Sequence, residues 1–237
     1  MLVKVDAAGL EWRILAWLSR DPIALEEINS GVDFHSENQK YFNLPSRLVA
    51  KIYLFRTIYR GSGWAFSKDP AFAHVSNDPA FWDDLNLKFY RKYKGIDRCH
   101  TQWAQCVTEK RPIISPLGRE WMIYLTEDGK LPWTVLTNYP VQGTGADVVM
   151  VARLSLMRRL KRISARTIMV GTVHDDIRLD SPDEEVDSVV KLCYDVFDDI
   201  PKNIERVWGI KVPLQFPGEV FKGKNFRDLE VVPRVNN

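Results

Sequence analysis

Two short extended runs, about 170 residues apart, end on carboxylates, and most of the chain between them carries apolar residues at helical spacing. The first run, Leu2 to Asp6, is a strand that ends on an acid, and the small residues Ala7, Ala8 and Gly9 after it let another group approach the backbone. The second is a hairpin, Arg166–Val173 with Asp176–Leu179, whose apex is His174-Asp175. A buried carboxylate without a partner is costly, so acids at the ends of core strands usually face a cation. Taken singly, Asp6 also reads as an N-cap and Asp175 as a turn residue. On neighbouring strands the two would hold a pair of Mg²⁺ ions, the clamp used for in-line phosphoryl transfer.

Between these ends the spacing predicts helices over Leu10–Leu18, stopped by Asp21-Pro22, and over Ile23–Asn29. Further helices are predicted from Ser46 to Tyr59, ended by Gly61-Ser62-Gly63, from Pro79 to Tyr93 and from Ile96 to Glu109. Residues 112–126 read as a ribbon turning at Pro116-Leu117-Gly118, and helices follow over Gln142–Ile163 and Asp183–Trp208 before a short extended tail. The expected class is α+β and helix-rich, with few, scattered strands.

The helix from Ser46 carries the most specific local pattern. Arg47, Lys51, Phe55 and Tyr59 are spaced by four, so each advances about 40° and the stripe runs roughly 18 Å along one face. It reads cation, cation, aromatic, aromatic. Such a face suits a nucleoside triphosphate, with phosphates at the N-terminal cations and sugar and base on the rings. A half-buried face with two snorkelled cations gives the same pattern.

Taken together, these segments resemble the family A (polymerase I-like) DNA polymerases, closest to phage-type members. Asp6-Ala7-Ala8-Gly9-Leu10-Glu11-Trp12-Arg13 is similar to the family's motif A, Arg47-xxx-Lys51-xxx-Phe55-xxx-Tyr59-x-Gly61 to motif B, and Val173-His174-Asp175-Asp176 to motif C. Asp33-Phe34-His35 stands between A and B, and the block Asn138 to Asp147 precedes C. Ser115-Pro116-Leu117-Gly118-Arg119 and Gly223-Lys224-Asn225-Phe226 also have counterparts in the family. Five motifs in order are far more specific than one.

The resemblance implies a helix-rich fingers subdomain inserted in a palm with a small antiparallel sheet. Residues 1–30 would be palm with motif A, 31–115 fingers with motif B, and 116–237 palm with motif C. It implies two Mg²⁺ ions on Asp6, the Ala7 carbonyl and Asp175. Asp176 stands where the family usually has Glu, which leaves its share in metal binding open. Arg47, Lys51 and His35 would hold the triphosphate of a dNTP, with Lys51 also a proton donor to pyrophosphate. Phe55 would pack beside the deoxyribose, Tyr59 would stack at the nascent base pair, and Glu11 would fill the space of a ribose 2′-OH. Arg119, Asn138, Gln142 and His174 would contact the primer terminus, template or minor groove of primer–template DNA.

Two features depart from the family. Arg56 and Arg60 stand where it normally has small residues, usually Gly. Motif A also comes five residues after Met1, where the family has a thumb, the earlier palm and usually a 3′–5′ exonuclease. The expectation is a split enzyme: a second polypeptide carries those parts, and the strand of Asp6 is left in an incomplete sheet with exposed edges. A non-catalytic DNA-binding or assembly subunit that keeps the fold is the competing expectation. A two-metal nuclease explains the acids but neither Glu11 nor the stripe.

Composition narrows the remaining classes. The chain has 237 residues, 45% hydrophobic and 27% charged, a globular composition. Its net charge of +2 means that any cationic surface is local. The basic cluster Arg158-Arg159 with Lys161-Arg162 reads as a solvated helix face. Cys99, Cys106 and Cys193 form no CxxC pair, which fits reduced thiols rather than a disulfide framework or zinc knuckle. With no apolar run near the ~18 residues of a bilayer span and no signal-peptide pattern, the expected location is the cytoplasm, that of the host for a phage protein, and no membrane partner is expected.

Overall fold

The computed structural model describes residues 1–234. Along the chain, β1 (Leu2–Ala7) leads into α1 (Leu10–Ser19), α2 (Pro22–Asn29), α3 (Phe34–Phe42), α4 (Arg47–Thr57), α5 (Gly63–Ser67), α6 (Pro79–Lys92) and α7 (Lys94–Thr108). A small ribbon, β2 (Ile113–Ile114) with β3 (Glu120–Trp121), precedes the long α8 (Trp133–Arg162). The hairpin β4 (Ile168–Val173) and β5 (Asp176–Asp180) is followed by α9 (Val186–Asp198), α10 (Ile200–Trp208), β6 (Gly218–Gly223) and β7 (Glu230–Val232). The class is α+β. Among the described residues no helix is long and apolar enough to cross a membrane.

The chain divides into two units, one formed by Met1–Arg13 with the residues from Gly143 onward, the other by Ile14–Gln142. A helix-rich unit is therefore inserted in a sheet-bearing one. The boundaries fall inside α1 and α8, whereas the sequence reading put them at 30/31 and 115/116.

In the sheet-bearing unit, the strands run β4-β5-β1-β6-β7, all neighbours antiparallel. Alternation along β1 sends Val3, Val5 and Ala7 into the core and leaves Leu2, Lys4 and Asp6 on the more open face. Ile177, Leu179 and Val220 join the core face, where α9 packs with Val189, Cys193, Val196 and Phe197 fully buried. The expected small antiparallel sheet is present, and the extended tail supplies two of its five strands. The strand of Asp6 is its middle strand, hydrogen-bonded on both sides. The edges are β4 and β7, and β4 exposes Ile168, Val170 and Val173.

The helix-rich unit is built on aromatic side chains. Trp82 lies 4.8 Å from Phe72, 5.4 Å from Phe66 and 5.9 Å from Tyr53, centroid to centroid, and all four are buried. Each such ring removed from water contributes about 1.5–3 kcal/mol. Val49, Ala50, Tyr53, Leu54 and Thr57 dock α4 on this cluster, which leaves Arg47, Lys51 and Phe55 on the opposite, open side.

Four helix boundaries differ from the sequence reading. Asp21 does more than stop α1: its carboxylate accepts from the Ile23 and Ala24 amides and so starts α2. The helix α3, unassigned from sequence, is capped by Asp33 and closed by Asn43 in the left-handed conformation. The helix expected from Gln142 begins at Trp133 and runs through Pro140, whose missing amide removes only one bond of the ladder. The helix expected over Asp183–Trp208 is a 3₁₀ turn followed by α9 and α10, which part at Asp199 ahead of Pro201.

Candidate active site

In the sheet-bearing unit, the hydrogen-bond register sets Asp6 opposite Asp176. Directly before Asp176, at the tip of the β4–β5 hairpin, stands Asp175. Its carbonyl accepts from the Ala7 amide at 3.2 Å, so the two carboxylate-bearing turns are tied backbone to backbone. Burial, followed by the negative charge of Asp6 and then of Asp176 and Glu11, raises the Asp175 carboxyl above its ordinary value, and no cation offsets it among the described residues. Asp6 has Lys4 at 3.4 Å, itself 4.3 Å from the Phe221 ring centre.

Asp176 is spent differently. It is buried, its carboxylate accepts from Arg178 Nε and Nη2 at 2.9–3.1 Å, and it also accepts from the Val173 amide at 3.1 Å. Arg178 was not singled out from sequence; its position two residues on, along the same strand face, is the signal. Hairpin neighbour His174 takes φ +55°, a left-handed conformation that favours Gly, and the strain is held at the turn that carries Asp175. Arg13 braces the turn after β1 by donating from Nε to the Ala8 carbonyl and from Nη1 to the Gln215 carbonyl, both at 3.0 Å.

In the helix-rich unit, Ser46 caps α4 by accepting from the Val49 amide. One turn of exposed helix carries Arg47 and Lys51, and the half-buried Phe55 ring lies 5.9 Å from the His35 ring. Burial and the charges of Arg47 and Lys51 lower the His35 pKa while Asp33 opposes them, so the imidazole shares a patch with both cations. Its Nδ1 is buried without a hydrogen-bond partner. The structure thus brings His35, Arg47, Lys51 and Phe55 together. Asp33, quoted in the sequence motif but given no role, takes a bidentate hold on Arg47 through Nε at 2.6 Å and Nη2 at 3.1 Å. The guanidinium keeps the Asp33 carboxyl well below the usual range.

The stripe ends differently from the expectation. Thr57 is the last residue of α4, and Tyr59 lies in the closing turn, its hydroxyl accepting from Gln142 Nε2 at 3.0 Å. Arg60, at φ +60°, supplies the left-handed residue; the following Gly61 donates to the Arg56 carbonyl at 3.0 Å. Gly61 serves closeness instead: a Cβ there would stand 3.1 Å from both Arg56 O and the Phe66 ring, so a neighbour would have to give by a few tenths of an ångström. Arg56 ion-pairs with Asp69 and lies over Phe72, so neither arginine is spare.

The remaining expected contact residues stand on separate elements. Arg119 is exposed at the β2–β3 turn, where its amide and carbonyl are both tied to Ser115. Asn138 and Gln142 lie one turn apart on α8. His174 belongs to the other unit.

The donor set fits a hard divalent cation. Among the described residues no three His, Cys, Asp or Glu side chains gather as a complete metal shell. Mg²⁺ nonetheless commonly uses only one or two carboxylates and takes its other ligands from phosphates and water. The uncompensated repulsion at Asp175 is what such an ion relieves.

The model of DNA polymerase family A matches residues 1–228. The chain is 25% identical over 228 residues to "DNA polymerase I, thermostable" of Thermus aquaticus, covering 91% of this chain and 26% of that protein. It is 24% identical to DNA polymerase I of Deinococcus radiodurans, covering 97% of this chain and 24% of that protein. The chain thus spans about a quarter of the length of these curated relatives. Among solved structures, the POL domain of Pol1 from M. smegmatis, in complex with a DNA primer-template and dNTP, superimposes with a TM-score of 0.75 at 20% identity, over 92% of this chain and 38% of that one. By its family model, its relatives and its fold, this chain is a member of DNA polymerase family A.

Proposed function

We propose that the chain carries out the nucleotidyl-transfer step of a DNA-directed DNA polymerase, in DNA replication. The observation that carries this reading is the meeting of Asp6 and Asp175, about 170 residues apart in sequence, where burial and the neighbouring carboxylates raise the Asp175 carboxyl above its ordinary value. Asp6, Asp175 and the Ala7 carbonyl would hold two Mg²⁺ ions, and Asp176 adds negative charge from within its clasp by Arg178. The chemistry such ions would supply is positive charge at the primer 3′-OH and at the departing pyrophosphate. In the reaction the bond from O3′ to the α-phosphorus forms as that to pyrophosphate breaks.

The other residues bind and orient. Arg47, Lys51 and His35 grip the triphosphate, with Arg47 exchanging Asp33 for phosphate, and Lys51 gives a proton to pyrophosphate. Phe55 packs on the deoxyribose, Tyr59 stacks at the nascent base pair, and Glu11 fills the space of a 2′-OH. Arg119, Asn138, Gln142 and His174 contact the primer terminus, template or minor groove. In this reading 1–30 and 116–237 form the palm and 31–115 the fingers of a phage-type enzyme acting in the host cytoplasm.

A second polypeptide supplies the thumb, the remaining palm and a 3′–5′ exonuclease. The apolar β4 edge and the exposed Met150, Leu154 and Met157 of α8 support this. Arg56 and Arg60, where the family normally has small residues, favour one alternative, a non-catalytic DNA-binding or assembly subunit. Primer extension with Mg²⁺ and dNTPs, by the chain alone and with its partner, beside Asp175→Ala, decides between them. Extension lost in the variant supports catalysis; no extension by the wild-type chain in either setting supports the assembly role.

A further inference from the structure

Arg60 is held more elaborately than its place beside a glycine requires. Its guanidinium lies 4.2 Å from the ring centre of Tyr90 on α6 and 4.6 Å from that of Trp133 on α8, and Nη2 donates to Asp97 of α7 at 2.9 Å. A flat cation stacked on two rings and paired with a carboxylate is a fixed point, worth more than an exposed ion pair because the faces are partly desolvated. The backbone is fixed as well. Arg60 donates to the Thr57 carbonyl, Tyr90 donates to the same carbonyl at 3.1 Å, and Asn86 donates to the Gly61 carbonyl at 2.9 Å. A left-handed arginine is strained relative to glycine. The stacking and the ion pair offset that strain, although Nε is left buried without a hydrogen-bond partner.

The residue next to this fixed point is Tyr59, whose hydroxyl is tied to Gln142 of α8, the helix that also contributes Trp133. Ring position therefore depends on the hydroxyl contact and on the Arg60 turn.

The geometry points to Arg60 as a positioning residue for Tyr59: by locking the last turn of α4 to α6, α7 and α8, it sets the surface on which a paired incoming nucleotide is distinguished from a mispaired one. This rests on the polymerase reading. Arg60 touches no substrate; it acts through Tyr59. Arg60→Gly is the informative substitution, because glycine accepts the left-handed backbone and removes only the clamp. Arg60→Lys keeps the charge opposite Asp97 but loses the flat stacking, and Asp97→Asn keeps the stacking but weakens the pairing.

Two measurements on the full chain, with its partner where extension requires one, test the proposal. In hydrogen exchange, the amides of residues 58–61 should exchange about 10-fold faster or more in Arg60→Gly. In single-nucleotide insertion, kcat/KM for the paired dNTP should fall about 10-fold, with the KM carrying most of the change. Discrimination against a mispaired dNTP should fall by a similar factor. Arg60→Lys and Asp97→Asn should lie between that variant and wild type. Unchanged exchange overturns the clamp, whatever the activity. Faster exchange with unaltered discrimination in an active enzyme overturns its coupling to Tyr59. A wild-type chain that extends no primer, alone or with its partner, overturns the polymerase reading and the discriminating role with it, while exchange still reports whether the clamp exists.

Discussion

The two units treat their charges in opposite ways. In the helix-rich unit the key cations have partners: Arg47 with Asp33, Arg56 with Asp69, Arg60 with Asp97, Lys92 with Glu27. In the sheet-bearing unit Asp175 stands among Asp6, Asp176 and Glu11 with no compensating cation among the described residues. In one unit these four cations are each met by a carboxylate. The other stores repulsion at the tip of a strained hairpin, the arrangement of a site whose missing charge arrives with a ligand.

That contrast can be broken most sharply at Asp175. Asp175→Ala should lower Mg²⁺-dependent primer extension by roughly 10³-fold or more, since it removes a ligand from the charge that stabilises the transition state. A residual rate within 10-fold of wild type would place the catalytic carboxylates elsewhere. On the cationic side, Lys51→Ala should cost about 10²-fold in kcat, with a changed pH–rate profile, as expected for a lost proton donor. A change confined to KM would reduce Lys51 to phosphate binding. Glu11→Ala should leave dNTP insertion nearly intact and lower discrimination against ribonucleotides by about 10²-fold, measured as the ratio of kcat/KM values.

The smaller effects concern stability. His100, buried beside Tyr90 and near the Arg60 charge, has its pKa pushed down to about 3, chiefly by burial. The unfolded chain takes up that proton near pH 6.5, so the contribution of neutral His100 is complete above that pH and is lost as pH falls towards 3. The Tm should therefore drop between pH 7 and pH 5 in wild type and drop less in His100→Phe; equal losses would remove His100 as the cause. Asp175→Asn, without Mg²⁺, relieves the repulsion, and its Tm should rise by about 2–4 °C, the shift that ~1 kcal/mol gives at this length. A fall in Tm would show that the carboxylate is compensated after all.

Much of this contrast was legible in residues close in sequence. Ser46 as a cap, the four-residue spacing of Arg47, Lys51 and Phe55, and the turn at His174-Asp175 follow from short-range rules of capping and periodicity. The same rules erred where a distant partner intervened. The helix reads as beginning at Gln142, yet α8 starts at Trp133 and runs through Pro140 on the burial of Leu136, Val141 and Val148. Gly61-Ser62-Gly63 reads as the end of the helix, yet Arg60 supplies the left-handed residue there, held by Tyr90, Trp133 and Asp97.

By itself the sequence determined the α+β class, the alternating burial of β1, the family motifs and which side chains could do chemistry, because these depend on neighbours within a few turns. Only the tertiary structure decided that β1 lies at the centre of its sheet, that Asp6 meets Asp175, that Asp176 is taken by Arg178, and that both unusual arginines are structural. Those outcomes depend on which surfaces meet across long stretches of chain, and no local propensity encodes the partner of a charge or the far side of a strand.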